Sequence, residues 1–290
     1  VACFDCAVGA NRQRALLVLA LGRMACAVLQ VAAIRGMTPP ASPAVRKAHE
    51  DTARTLLHVE AVGLHVLKGA VAQVGPGDPI VIARRSHEVV AATVLDIRKA
   101  ARAQGALRFG AEVTASGASI PIPDLDPPTD ADRLSAERAA RGYSDAILRQ
   151  AQEWMAEHDA AQADPALRIE ASYLESIAAT ETSEAFSDER TRIEKALAAE
   201  NEESSWWPFL VKEWSADLEA AHRAKARGKK TKSGRAVSGP CDVCRGLHGT
   251  KIAWGSDWPG GHEPGKIHRH CRCLTRYYAI PFEVTRRKAA

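Results

Sequence analysis

Five residues near the C-terminal end have the types and spacing of a metal site. Cys241 and Cys244 form a C-x-x-C pair, and Cys271 and Cys273 a C-x-C pair preceded by His268. Twenty-six residues separate Cys244 from Cys271. Zinc takes four N or S donors in a tetrahedron, and C-x-x-C offers two thiolates from one tight turn. A second pair returning from a distant loop closes such a site and staples a small module with little core of its own. C-x-C is a less usual pair for one ion, so the expected ligands are Cys241, Cys244, His268 and Cys273, with Cys271 as substitute for the last. The alternative is reduced, unliganded thiols or a disulfide. A catalytic zinc would keep a position open for water and want a carboxylate base nearby. Between Asp257 and Cys273 the only acid is Glu263, so a structural site is expected. Leu247-His248-Gly249 and Gly260-Gly261 read as turns, where glycine admits left-handed backbone.

Seven cysteines, four of them in the last 50 residues, do not form a disulfide framework. Close-set pairs mixed with histidine indicate reduced thiols and a cytosolic origin. Cys3 and Cys6 make another C-x-x-C with no second pair near it.

Charge divides the chain. The net +4 (39 Lys and Arg less 35 Asp and Glu) conceals +12 after residue 220 (16 basic, 4 acidic) and −8 before it. Arg223, Lys225, Arg227, Lys229, Lys230, Lys232 and Arg235 are interleaved with glycine and serine. No apolar side chain larger than alanine anchors them, which reads as a basic loop able to neutralise phosphates. The bland reading is a solvated linker.

The elements that must position these groups are mostly helical. Hydrophobic residues are 46%, charged 26% and aromatic 5% of the chain, values that exclude a wholly disordered chain and a multi-span membrane protein and favour helices packed through small aliphatic side chains. Ser42-Pro43, Asp78-Pro79 and Asp164-Pro165 look like helix starts: a side-chain oxygen caps the first turn and proline follows at its first position. Leu57, Leu64, Leu67 and Val71 keep helical spacing up to Gly75-Pro76-Gly77, and Val90, Val94, Ile97 and Ala101 do so up to about Phe109. The two segments predict a long antiparallel hairpin.

Residues 114–130, with Pro121, Pro123, Pro127 and Pro128, cannot continue a helix and read as an extended linker. From 130 to 203 there are 18 acidic and 8 basic residues. They predict two or three amphipathic helices whose Ile147, Trp154, Leu167, Tyr173, Leu174, Ile177, Phe186, Ile193 and Leu197 form core. The aromatic run Trp206-Trp207-Pro208-Phe209-Leu210-Val211 predicts a short strand or platform that Trp214 joins. Ala15 to Ile34 is almost wholly apolar, but Arg23 spoils it as a membrane span or signal core, and a buried helix holding Cys26 is expected instead. The organisation read from sequence is a helical N-terminal region (1–113), a linker (114–129), an acidic helical region (130–204) and a basic Cys/His module (205–290). The fold class is mainly α, with a small α+β module that zinc would staple.

At the module the sequence resembles the phage head morphogenesis, or minor head, proteins of the Mu F type. The resemblance rests on Lys212-Glu213-Trp214, then Cys241-Asp242-Val243-Cys244 followed by Leu247-His248-Gly249, then His268-Arg269-His270-Cys271-Arg272-Cys273. Ile177-Ala178-Ala179-Thr180-Glu181-Thr182 is similar to the Thr-Glu helix that precedes the module in that family. It covers roughly residues 170 to 282. The Pro-Pro before the family's histidine and the Pro after it are absent, Arg269 taking the latter position, and the basic loop between Trp214 and Cys241 is longer. The resemblance implies a non-enzymatic minor capsid protein of the virion. It would bind the portal protein during head assembly in the host cytoplasm, then lie inside the capsid at the portal vertex beside packaged double-stranded DNA. Scaffold or major capsid protein are further partners it admits, and no membrane is among them. DNA binding would be sequence-independent. Competing readings are a zinc-containing nuclease using His248, His262 or His270 with Glu263 or Asp257, and a zinc-ribbon DNA-binding regulator, for which no recognition helix is evident.

Overall fold

The computed structural model describes residues 41–75, 77–118, 121–157, 171–203, 209–216, 241–267 and 271–280. Four long helices come first: α1 (Pro43–Ala72), α2 (Pro79–Ala115), α3 (Asp130–Glu157) and α4 (Ala171–Glu203). Strand β1 (Phe209–Ser215), short helix α5 (Asp242–Leu247), strand β2 (Lys251–Ala253), a 3-10 turn (Pro259–Gly261) and strand β3 (Leu274–Ile280) follow. The described residues are thus mostly helical with one small sheet, as expected from the composition.

The helix starts behave as their sequences require. Ser42 Oγ accepts from the Val45 amide, and Asp78 accepts from the amides of Ile80 and Val81. At α3, Thr129 Oγ1 accepts from the Asp132 amide while Asp132 Oδ2 accepts from the Thr129 amide. This reciprocal pair satisfies two orphan donors. Asp164-Pro165 and Leu167 lie outside the described residues. Helix α2 continues past Phe109 to Ala115, and stops where Ser116 Oγ turns back on the Val113 carbonyl and Gly117 takes a positive φ of 85°.

Helices α1 and α2 form the expected antiparallel hairpin, and α2 lies at the centre, packed against α1, α3 and α4. One apolar cluster joins Leu67, Val90, Val94 and Ile97 of the hairpin to Ala140, Tyr143 and Ile147 of α3 and Leu174 and Ile177 of α4. Residues from both helical regions therefore share a core. The buried stripe of α1 runs through Leu56, Gly63 and Leu67. Leu57 and Leu64 flank it. A Cβ at Gly63 would sit 3.2 Å from Ile97, so glycine there sets how closely the hairpin closes.

Segment 121–129 carries no helix or strand, in keeping with its prolines. It is tied to the helices by Arg102 donating to the Pro127 carbonyl and Arg192 to the Asp124 carbonyl.

An ionic layer crosses the middle of the bundle. Arg98 and Arg102 of α2 meet Asp132 of α3 and Glu181 and Glu189 of α4 at 2.8–3.0 Å, all with little solvent exposure. Beyond it, Glu112 is fully buried and receives Arg190 at 2.7 Å, the Tyr277 amide at 2.9 Å and His49 at 3.0 Å. Such pairs offset the cost of burying charge only when geometry and hydrogen bonds are complete.

The sheet has order β2-β1-β3 and is antiparallel throughout, with Val211 opposite Ala253 and Tyr278, and Trp214 opposite Thr275. The strand expected from the aromatic run is β1, carrying Trp214. Trp206 and Trp207 lie outside the described residues. One face of the sheet packs through Leu210, Tyr277 and Ala279 onto Phe109 of α2 and Ile193 and Leu197 of α4. On this same face Lys212 pairs with Glu194 of α4 at 2.6 Å.

Candidate metal centre

The same face of β1, toward its Ser215 end, holds the cysteines. Trp214, fully buried, meets Trp258 edge-on at 5.2 Å. Cys244, Cys271 and Cys273 pack against this pair. Two segments bring the sulfurs together: α5 carries Cys244, and the chain entering β3 carries Cys271 and Cys273 immediately before Leu274. The turn Leu247-His248-Gly249 fixes α5 to the sheet. Gly249, at φ 77°, donates to the Trp214 carbonyl at 2.8 Å, and the Trp214 amide donates to the Thr250 carbonyl at 2.9 Å.

The three sulfurs of Cys244, Cys271 and Cys273 all lie within 4.8 Å of one another, and the three residues are buried. Cys244 Sγ and Cys271 Sγ are 4.0 Å apart. That exceeds a disulfide bond of about 2.05 Å. It is near the roughly 3.8 Å that separates thiolates at about 2.3 Å from one tetrahedral ion. The cluster has the donor set and spacing to hold a metal ion.

Electrostatics divide the three. Cys273 donates its thiol proton toward Cys271 and, with burial, is pushed well up from the usual thiol range. Cys271 moves the other way, down to about 5: the Cys273 thiol outweighs burial, and the amides of Cys273, Ile267 and Gly265 add hydrogen bonds to its sulfur. Burial, reinforced by the hydrogen bond to Cys241, raises Cys244 to about 12. One sulfur is therefore prepared as a thiolate, the form that ligates metals.

Of the expected ligands, Cys244 and Cys273 stand in the cluster. Cys271, expected as a substitute, stands there too. Cys241 caps α5 with its sulfur 3.4 Å from the Cys244 amide and is outside the group of three. His268 and His270 lie outside the described residues, as do Cys3, Cys6, Cys26 and all seven basic residues from Arg223 to Arg235.

The other candidate groups have structural work. His248 Nδ1 accepts from the Ala216 amide at 3.1 Å. His262 lies over the positive-φ Gly260, 3.1 Å from where a Cβ would stand. Glu263 pairs with Lys266 at 2.6 Å, and Lys266 continues to Asp188 of α4.

Sequence reading missed the supports of the cluster. Ser183 of α4 donates to the Cys271 carbonyl at 2.6 Å, and Gly265 passes so close that a Cβ would meet Ser187 Oγ at 2.7 Å. Arg272 forks onto Glu60 of α1. The only hint in the sequence is Pro264-Gly265, a turn signal three residues ahead of His268. No family model, curated protein or solved structure matches the chain.

Proposed function

We propose that this chain is a minor head protein of a tailed phage that binds the portal during head assembly, remains inside the capsid and touches packaged DNA through residues 223–235. One observation carries the reading. The motifs that support the resemblance lie far apart in sequence and fold into a single unit: Trp214 at the centre of the sheet, the Leu-x-Gly turn hydrogen-bonded to it, the cysteines of α5 and of the β3 entry beside it, and the Thr180-Glu181-Thr182 helix beneath. A structural ion explains why three thiols are buried where no disulfide spans them. The reading is not enzymatic: His248 and Glu263 are engaged in the turns they stabilise.

Zinc is the metal that suits buried thiolates without redox chemistry, closing the site with Cys244, Cys271 and Cys273 and a fourth donor from Cys241 or His268. Its contribution would be to hold the C-terminal segments on the sheet. Elemental analysis of purified full chain should find about one zinc per chain, and Cys244→Ser with Cys273→Ser should abolish it. A metal-free chain of unchanged stability would refute the zinc.

The virion role is tested by counting the chain in purified particles and by co-sedimentation with the portal ring from the same source. Presence at a few to about a dozen copies per particle supports it, whereas absence from particles and no portal binding overturn it. DNA binding should be salt-sensitive, each phosphate contact adding roughly −0.9 to the log-log slope. Deleting residues 223–235 should remove most of that slope.

A further inference from the structure

Helix α1 is more apolar than its packing explains. It holds an 18-residue window of high mean hydropathy, of which only 17% is buried. Val62 and Val66 are 49% and 48% exposed. They line a groove of about 640 Å³ between α1 and α2, with Ile97 and Ala100 across from them. It runs along α1 from Asp51 to Val66, about 23 Å at roughly 1.5 Å per residue. The charges along it are divided by end. Gly63 faces Ile97, so in this antiparallel hairpin Arg108 stands at the level of residue 52 of α1 and Asp96 at the level of residue 64. The Asp51 end therefore gathers Arg54, Arg108 and Asp51, a net +1 (two basic less one acidic), while Asp96 is the charged residue of the Val66 end. His58 lies between them. Arg54 pairs with Asp51 at 3.1 Å, which leaves Arg108 and Asp96 without ion pairs among the described residues.

We propose that this face pairs with the same face of a second copy, the two related by a two-fold axis that crosses α2 at Arg102 and α1 at His58. An isologous interface must complement itself, and this charge pattern does so. The axis reverses the helices, so Arg108 of each copy meets Asp96 of the other, the two positions lying about 18 Å apart along α2. Both unpaired charges of the groove are then matched in each copy, while Arg54 and Asp51 keep one another. His58 meets its own counterpart on the axis. Apolar surface follows the same symmetry. Leu107, 66% exposed, shares a strip of α2 with Ala100 and Ala103, which precede it at helical spacing. The axis sets Leu107 at the level of the second copy's Ile97, beside Val62. Size sets the strength. Two helices about 10 Å apart present a face about 20 Å wide. A dimer then covers roughly 1,000 Å² over both copies, the range of a weak and reversible pair.

Sedimentation equilibrium of the full chain reads this, from roughly 5 to 200 µM and at about pH 8, where an ordinary imidazole is neutral. A reversible exchange between monomer and dimer is expected. Asp96→Arg alone sets arginine against arginine at both facing pairs, and Arg108→Asp alone sets aspartate against aspartate. Each should weaken the dimer at least about tenfold. Mixing the two variants should restore it, because every facing pair is again of opposite sign, and so should both changes combined in one chain. Leu107→Asp, at an exposed position, should weaken the dimer by a similar factor without touching either charge. Helical circular dichroism equal to the parent's identifies the variants that have folded. A parent that stays monomeric at the highest concentration overturns the proposal and leaves the groove to residues 1–40 or to another partner. A dimer that these changes leave intact, or that a mixture of folded variants fails to restore, overturns it in favour of a different face.

Discussion

Glu112 is fully buried with three partners, and this sets how the protein responds to acid. Burial alone would raise its pKa, but the Arg190 guanidinium and His49 outweigh burial and, with the Tyr277 amide, hold it at about 2, against 4.5 for an ordinary glutamate. A carboxylate depressed in the folded state contributes stability that is complete above its unfolded value and is lost as pH falls toward its folded value. The expected outcome is a loss of stability from about pH 4.5 down to about 2, read by urea titration at each pH. Glu112→Gln removes that slope and leaves Arg190 buried without its counter-charge, at a cost of about 3–5 kcal/mol at neutral pH. At the cysteines, Cys271→Ser takes away the sulfur that three amides and a thiol are arranged to receive. It should weaken the metal more than Cys241→Ser does, as competition with a chromogenic chelator would measure. Equal effects would place Cys241 in the inner set.

Among the helices, two glycines make opposite predictions from the same substitution. Gly69 of α1 has nothing within 4 Å of the place a Cβ would take, so Gly69→Ala should stabilise by up to about 1 kcal/mol through helix propensity. Gly105 of α2 crosses α4, where a Cβ would stand 2.7 Å from the Phe186 carbonyl oxygen. Gly105→Ala should therefore destabilise despite the same propensity gain, because backbone must move to admit it. Thermal melts of the two variants check the pair. The helices were legible in sequence because their ends are marked by Ser42-Pro43 and Asp78-Pro79 and their apolar residues recur at helical spacing. The crossing at Gly105 was not, since a lone glycine within a helical pattern shows only a lost methyl and not the carbonyl that requires its loss. The ionic layer of Arg98, Arg102, Asp132, Glu181 and Glu189 was likewise hidden. Charged residues in an acidic stretch read as solvated surface, and only the approach of α2, α3 and α4 turns them inward.

For the molecule as a whole, the cysteine cluster is joined to the helices by Ser183, by Arg272 on Glu60 and by Lys266 on Asp188. Removing a bound metal should thus be felt beyond the module. A chelator present at equilibrium with a site filled about a thousandfold above its Kd removes about 4 kcal/mol. For a chain of this size that lowers the melting temperature by roughly 7 °C. One shifted transition is expected by calorimetry, while an early separate transition would show that the module melts alone. The sequence disclosed that the two thiol pairs approach one another, because such pairs are rare and their spacing is informative, but it put Cys241 ahead of Cys271, and the structure brings Cys271 rather than Cys241 into the group of three. Nor did the sequence disclose that the second pair enters on β3 against a helix 88 residues earlier in the chain.

The order β2-β1-β3 also has a consequence in time. Strand β1 ends at Ser215, and its longer partner begins at Leu274, 59 residues later. At a synthesis rate of about 5–20 residues per second, the ribosome leaves that edge unpaired for roughly 3–12 s in every chain it makes. Leu210, Val211 and Trp214 would be an adhesive strip through that interval, but Lys212 and Glu213 interrupt it with charge. The Lys212 partner, Glu194, is already synthesised by then. The nascent edge thus comes with its own guard against pairing with a neighbouring chain on the same message.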